Sequence, residues 1–203
     1  MTEAMWAFER QAAARGYARV CGCDEAGAGP LAGRVYAAAV ILPAGLELPW
    51  LNDSKKVTPR RRELLFDQIR DRALAWAVAW AEPEEIDALD ILNCRMLAMN
   101  RAVEALEPGA DYALIDGNRD HGSRYAITLA HETIVKGDGR SASIAAASIL
   151  AKVSRDRYME EMNQIYPQYE FARHKGYPTR RHYELLRRYG PCPIHRRSFL
   201  KKL

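Results

Sequence analysis

The chain holds 26 carboxylates, and only position can select among them. Asp24-Glu25, Asp116 and Asp138 share one setting: each comes at the end of a short apolar strand-like run, with a glycine close behind (Gly27, Gly117, Gly139). Strand ends are where an α/β sheet presents its functional groups, and a following glycine lets the backbone turn sharply beside a ligand. Three such ends on adjacent strands would bring four carboxylates to one spot, where they repel unless divalent cations neutralise them. An oxygen-only donor set suits Mg²⁺ or Mn²⁺, and two ions about 3.5–4 Å apart are the usual device for phosphodiester cleavage. Asp-Gly and Gly-Asp pairs are also ordinary turn formers, so each of these taken singly reads as a turn. Asp24-Glu25 is harder to read that way, because two adjacent carboxylates directly after Val20-Cys21-Gly22-Cys23 set charge against the edge of a core. Taken together the pattern favours a metal site.

Other residue types offer less. Cys21-x-Cys23 lacks the spacing and the partner pair of a structural zinc site, so it reads as core thiols. The five histidines are scattered, with no H-E-x-x-H pattern. His131 reads as structural, while His174 and His195 sit among arginines, as in a groove for a polyanion. Gly27-Ala28-Gly29 matches neither phosphate-loop fingerprint. Ser141, Ser143, Ser148 and Ser154 fall at helical spacing and read as packing or capping, and no Ser-His-Asp arrangement stands out.

The elements that must position these groups are legible in outline. Residues 2–15 read as a short amphipathic helix. Residues 17–23 and 35–42 read as strands on either side of the small-residue turn 26–33. Thr58-Pro59 fits an N-cap with proline at the first helical position, opening a helix to about Arg72. Residues 73–81 read as a strand with Trp76, Val78 and Trp80 at period two. A helical stretch opens at Pro83, breaks near Asp90 and runs to Leu106. Residues 112–115 form a short strand stopped by Asp116-Gly117, residues 127–129 an edge strand, and residues 133–135 a strand ending at Lys136-Gly137-Asp138-Gly139. One long helix covers residues 141 to about 164, and its Ala145, Ala146, Ala147 and Ala151 allow close approach to a sheet. A last helix, Arg180–Tyr189, is capped by Thr179 and stopped by Gly190-Pro191. Interleaved strands and helices give an α/β class with a helical C-terminal lobe.

Composition bounds the rest. A chain of 203 residues with 48% hydrophobic and 28% charged residues is expected to form one domain, residues 1–203, of which about 166–203 is the basic lobe. No apolar run of about 18 residues is present, so no membrane is expected. The first residues lack the apolar stretch of a secretory signal, and four cysteines are too few for a disulfide scaffold, so the cytoplasm is the expected compartment. The net charge of +4 is uneven: residues 1–135 carry 15 basic and 20 acidic residues, residues 136–203 carry 15 and 6. A basic tail attracts polyanions, nucleic acid above all, although a solvated basic face has the same composition.

The segments Asp24-Glu25-Ala26-Gly27, Leu31-Ala32-Gly33, Asn52-Asp53-Ser54-Lys55, Ile115-Asp116-Gly117, Lys136-Gly137-Asp138, Ala146-Ala147-Ser148-Ile149-Leu150-Ala151-Lys152-Val153, Arg155-Asp156-Arg157, His174-Lys175-Gly176-Tyr177 and Pro193-Ile194-His195-Arg196 closely resemble, in order, bacterial ribonuclease HII, the type 2 ribonuclease H. The likeness covers about residues 17–199. It implies a ribonuclease H-like fold, a five-strand mixed sheet flanked by helices. It also implies an endonuclease, with two Mg²⁺ or Mn²⁺ ions per site, that cuts the RNA strand of RNA–DNA hybrids and nicks DNA duplexes 5′ to embedded ribonucleotides, leaving 3′-hydroxyl and 5′-phosphate ends; the oligomeric state is not visibly encoded, and a monomer is expected. Its acidic quartet falls on Asp24, Glu25, Asp116 and Asp138. The resemblance further places Tyr177 against the sugar at the scissile junction, the amides of Gly27, Ala28 and Gly29 on the ribonucleotide, and Lys55, Ser148 and Lys152 on backbone phosphates. Asp156, between Arg155 and Arg157, reads instead as a salt-bridged structural residue.

Two positions depart from that family. Ala28 replaces the arginine of a Gly-Arg-Gly pattern, removing a guanidinium that could fork onto a phosphate, and Arg34 stands where proline is usual. Arg34, six residues further on, is a candidate to restore some of that charge. Two other readings stay open on the residues alone. A DNA-only nuclease of the same fold would share the carboxylates without needing Tyr177 or the glycine turn. A non-catalytic nucleic-acid-binding module would not need all four carboxylates. The end Lys201-Lys202-Leu203 shows no clamp-binding peptide.

Overall fold

The computed structural model describes residues 3–201. Five strands, β1 (Val20–Ala26), β2 (Val35–Ile41), β3 (Ala75–Ala81), β4 (Tyr112–Asp116) and β5 (His131–Ile134), form one mixed sheet in the order β3-β2-β1-β4-β5. The β1–β2 and β2–β3 pairs are antiparallel, and β1–β4 and β4–β5 are parallel. A short turn suffices to reverse the chain between β1 and β2, whereas the parallel β1–β4 pair needs a crossover. That crossover carries α2 (Pro59–Arg72), α3 (Pro83–Leu89) and α4 (Ile91–Glu104). The remaining helices are α1 (Ala7–Ala14), α5 (Ala142–Ile165), α6 (Phe171–His174) and α7 (Arg180–Tyr189). Among the described residues no helix is long and apolar enough to cross a membrane.

Alternation along β1 assigns the two faces. Cys21 and Cys23 pack with Met96, Met99 and Ala102 of α4 on one side. Gly22 and Asp24 turn to the other, where α2 and α5 cover the sheet through Leu65, Ile69, Ala145, Ala146 and Ile149. Contact with α5 is so close that a Cβ on Gly22 would stand 2.1 Å from the Ser143 carbonyl carbon and 2.2 Å from the Ile144 nitrogen. The helix begins here because the Ser141 hydroxyl accepts the Ile144 N–H at 3.2 Å. All four cysteines are buried and free.

Several boundaries differ from the sequence reading. Strand β1 continues to Ala26, so Asp24 and Glu25 lie inside its last turn of the ladder, paired with Ala38 and Ala37. The expected edge strand at 127–129 does not form. The side chain of Asn100 donates to the Ala126 carbonyl at 2.8 Å and accepts the Thr128 N–H at 3.2 Å, taking the groups a ladder would use. The break at Asp90 is present, with φ at +76° and its carboxylate capping α4 through the Asn93 N–H. The first helix begins as a 3₁₀ turn over Glu3–Trp6. Thr2, expected in that helix, and Lys202-Leu203 of the chain end lie outside the described residues. The C-terminal segment adds α6, α7 and three-residue 3₁₀ turns at Pro167–Tyr169 and Arg197–Phe199, packed on Tyr158 and Met159 of α5 through Tyr169, Phe171, Leu185 and Leu186.

The Gly22 contact makes a direct prediction. Gly22→Ala should lose about 3 kcal/mol of stability in urea unfolding, because two backbones must separate to admit one methyl group. A loss below about 0.5 kcal/mol would mean the sheet and α5 are less tightly joined than described.

Candidate active site

The parallel register sets Cys23 against Ile115, so Asp24 and Asp116 follow side by side at the same end of adjacent strands. Asp24 is buried and accepts the Glu25 N–H at 2.7 Å. Glu25 leaves the sheet on the opposite face, where Arg95 of α4 meets its Oε1 at 2.8 Å. Its Oε2 is buried without a partner. Asp138 arrives from the 3₁₀ turn Gly137–Gly139, which Lys136 enters with φ +56°, and its N–H donates to Asp116 Oδ1 at 3.2 Å. A Cβ on Gly137 would stand 2.6 Å from Ile144 Cδ1 and 3.2 Å from Asp116 Oδ1, so glycine is what allows this turn to approach.

Burial, reinforced by the charges of Glu25 and Asp116, pushes the Asp24 carboxyl well above its ordinary range. Glu25 is raised by burial although Arg95 opposes the shift. Asp138 is raised by burial and then by Asp116 and Asp53, with Lys55 acting in the other direction. Among the described residues no three His, Cys, Asp or Glu side chains stand in ligating geometry around one point, and Glu25 is turned to Arg95. The donor set nevertheless fits a hard divalent cation: it is all oxygen, its members repel one another, and one carboxylate oxygen is buried and unpartnered.

Beside the carboxylates lies the turn from Gly27 to Arg34. Arg196 donates to the carbonyls of Gly27, Ala28, Pro30 and Gly33 at 2.7–3.0 Å. Arg155 donates to those of Ala32 and Arg34 at 3.2 and 3.3 Å. Six carbonyls are therefore drawn inward. Among the described residues, the N–H groups of Ala28 and Gly29 have no partner within the protein. Gly27 has φ +97°, and a Cβ there would lie 2.0 Å from Arg155 Nε. Tyr177 is 40% exposed, and its Cε1 stands 4.0 Å from where a Gly29 Cβ would be, so ring and turn share one surface.

The other sequence candidates divide. Lys55 is exposed and faces Asp138 from the 52–56 loop. Ser148 is buried, its hydroxyl 2.9 Å from that of Ser54, and it acts against the upward shift of Asp24. It ties the loop to α5 and is not free to meet a phosphate. Lys152 is paired at 2.6 Å with Asp156, so Asp156 is salt-bridged to Lys152 and not to the flanking arginines. Arg34 does not replace the missing arginine, since Glu82 takes its Nε and Nη2 at 2.9 and 2.8 Å and Trp80 and Tyr158 enclose it.

His174 and His195 do not line a groove. They are buried with His182, and burial lowers His182 and His195 to about 4. The network assigns their protons. His182 Nδ1–H donates to the Tyr177 carbonyl at 3.0 Å, and His195, whose Nδ1 accepts the Cys192 N–H at 2.9 Å, donates through Nε2 to His182 Nε2 at 3.0 Å. Sequence reasoning also missed Arg95 and the anchoring roles of Arg155 and Arg196. Arg155 carried a signal, for it follows Ser148 and Ala151 at helical spacing on the buried stripe of α5.

Comparison with known proteins agrees with this arrangement. The family model described as Ribonuclease HII matches residues 21–202. A Ribonuclease HII of Desulfitobacterium hafniense is 53% identical over 97% of this chain and 74% of its own length. The crystal structure of ribonuclease H2 from Pyrococcus horikoshii OT3 superposes with TM-score 0.73 and 27% identity, covering 89% of this chain and 93% of that one. Bst-RNase HIII, solved in complex with Mn²⁺, shares the fold at TM-score 0.61 and 19% identity, over 85% of this chain and 63% of its own. With the carboxylates of β1 and β4 at one sheet end and the glycine turn beside them, the chain belongs to the ribonuclease HII family, metal-dependent endonucleases of the type 2 ribonuclease H class.

Proposed function

We propose that this chain, acting as a monomer with Mg²⁺ or Mn²⁺, hydrolyses the RNA strand of RNA–DNA hybrids and nicks DNA duplexes on the 5′ side of embedded ribonucleotides, leaving 3′-hydroxyl and 5′-phosphate ends. The observation that carries this reading is the meeting of the buried Asp24 and its neighbour Asp116, at one sheet end, with a turn whose Ala28 and Gly29 amides have no partner. Asp24, Glu25, Asp116 and Asp138 would hold the ions, two per site. A bound divalent cation supplies charge neutralisation and a water of lowered pKa. The carboxylates fix where that chemistry takes place, and Arg95 balances Glu25 on the far face of the sheet.

The 2′-hydroxyl is what separates RNA from DNA. The free amides of Ala28 and Gly29 would donate to it, while the Tyr177 ring packs on the sugar at the junction. That ring is oriented by its own backbone: the Tyr177 N–H donates to the His174 carbonyl at 2.9 Å and its carbonyl accepts from Thr179 at 2.8 Å. Lys55 would meet a backbone phosphate, a contact that positions the strand without reading it. Lys152 reaches one only by leaving Asp156. The basic lobe that carries α7 would form one wall of the duplex groove.

Incubating an end-labelled duplex containing one ribonucleotide with Mg²⁺, Mn²⁺ or EDTA checks the reading. A nick 5′ to the ribonucleotide is expected in metal, none in EDTA and none with Asp116→Asn. Cleavage of an all-DNA duplex at equal rate would instead favour the DNA-only nuclease. Retained metal-independent binding with no cleavage would favour the binding module. The amide pair should suffice for recognition but not for full affinity. Ala28→Arg should therefore lower KM for this substrate by about one to two decades, since a charged hydrogen bond is worth about 1.5–3 kcal/mol. An unchanged KM would show that position 28 does not face the strand.

A further inference from the structure

Among the described residues, two buried guanidiniums have no carboxylate partner. Arg155 and Arg196 are 1% and 0% exposed, and every hydrogen bond either one makes ends on a backbone carbonyl. Burying a guanidinium away from any carboxylate is costly, and a neutral amide could hold carbonyls at less cost. Burial and the mutual repulsion of the pair lower Arg196 to about 9, and burial lowers Arg155. Arg155 Nη1 is moreover buried without any partner, a spare donor in a group otherwise fully engaged.

Position gives this charge a use. Arg155 lies directly under Gly27, where a Cβ would meet its Nε at 2.0 Å, and its guanidinium is 5.7 Å from the centre of the Tyr177 ring. The two guanidiniums thus sit behind the surface on which the Ala28 and Gly29 amides face outward. With the Gly27 and Ala28 carbonyls held by Arg196, the unpartnered amides of Ala28 and Gly29 are left to meet an incoming anion. Low-dielectric surroundings strengthen the attraction.

We propose that Arg155 and Arg196 act together as a buried anion-attracting base for the ribonucleotide subsite. They hold the turn with its amides outward and draw a substrate phosphodiester onto them, with no side chain at position 28 needed to supply charge. The inference rests on the reading of this turn as the ribonucleotide subsite. Both arginines are positioning residues, acting on the strand through the turn. With Ala28 in place of arginine, this chain depends on them for the whole of the cationic pull at the turn.

Steady-state cleavage of a duplex with one ribonucleotide separates the outcomes. Arg155→Gln keeps an N–H for the Ala32 carbonyl but removes the charge, and should raise KM about tenfold while leaving kcat nearly unchanged. Arg155→Lys, which keeps the charge, should recover most of the loss. An unchanged KM in Arg155→Gln, or a fall in kcat alone, would overturn the proposal. If Arg155→Gln does not fold, nitrogen NMR of the guanidinium groups in Asp116→Asn protein answers the same question. The Arg155 resonance should shift when that duplex saturates the protein, and an unmoved resonance would overturn the proposal. The parent provides the control for the underlying reading. A parent that does not distinguish the ribonucleotide duplex from all-DNA overturns both. A parent that does, with Arg155→Gln equally selective and equally tight, overturns only the proposal.

Discussion

Repulsion between carboxylates that the sheet forces together is the constraint around which this molecule is arranged. The parallel pairing of β1 with β4 leaves Asp24 beside Asp116, and the close seating of α5 on Gly22 keeps water from the first of them. Asp24 could not stay charged there at small cost without a cation. The protein supplies Arg95 to Glu25 on the far face and Lys55 near Asp138, and leaves one Glu25 oxygen without a partner. Compensation from outside the chain would turn this stability cost into an affinity for a divalent cation.

The turn after β1 answers a different problem by the opposite arrangement. Its carbonyls are gathered by two arginines from beneath, so the amides that remain face outward. Negative charge is concentrated at the strand ends, and positive charge lies under the adjoining turn on arginines from distant parts of the chain. A phosphodiester with a ribose beside it matches that polarity. Arg34 takes no part, because Glu82 neutralises it on another surface. The change at position 28 is therefore not repaired at position 34.

Much of this was legible in the residues. The glycines after Asp24-Glu25, Asp116 and Asp138 pointed to strand ends because backbone reversal needs them, and the sheet places those ends together. What was not legible depends on partners distant in sequence. Ser148 and Lys152 look like phosphate contacts until Ser54 and Asp156 are seen to occupy them. His174 and His195 look exposed among arginines, yet the helical phase of α7 brings His182 between them and buries all three. The missing strand at 127–129 was lost to Asn100, a side chain whose reach no local pattern reveals.

Thermal unfolding of the parent and of Asp24→Asn, each in EDTA and in Mg²⁺, tests the central claim most directly. A carboxyl raised in the folded state destabilises the fold above that raised value and has no effect below the ordinary carboxylate range. In EDTA near neutral pH, Asp24→Asn should therefore unfold at higher temperature than the parent, its fold more stable by about 1 kcal/mol or more. The gain should fade as pH drops toward about 4. Mg²⁺ should raise the parent and leave the variant nearly unmoved. A variant less stable than the parent in EDTA, with Mg²⁺ shifting neither, would contradict the account.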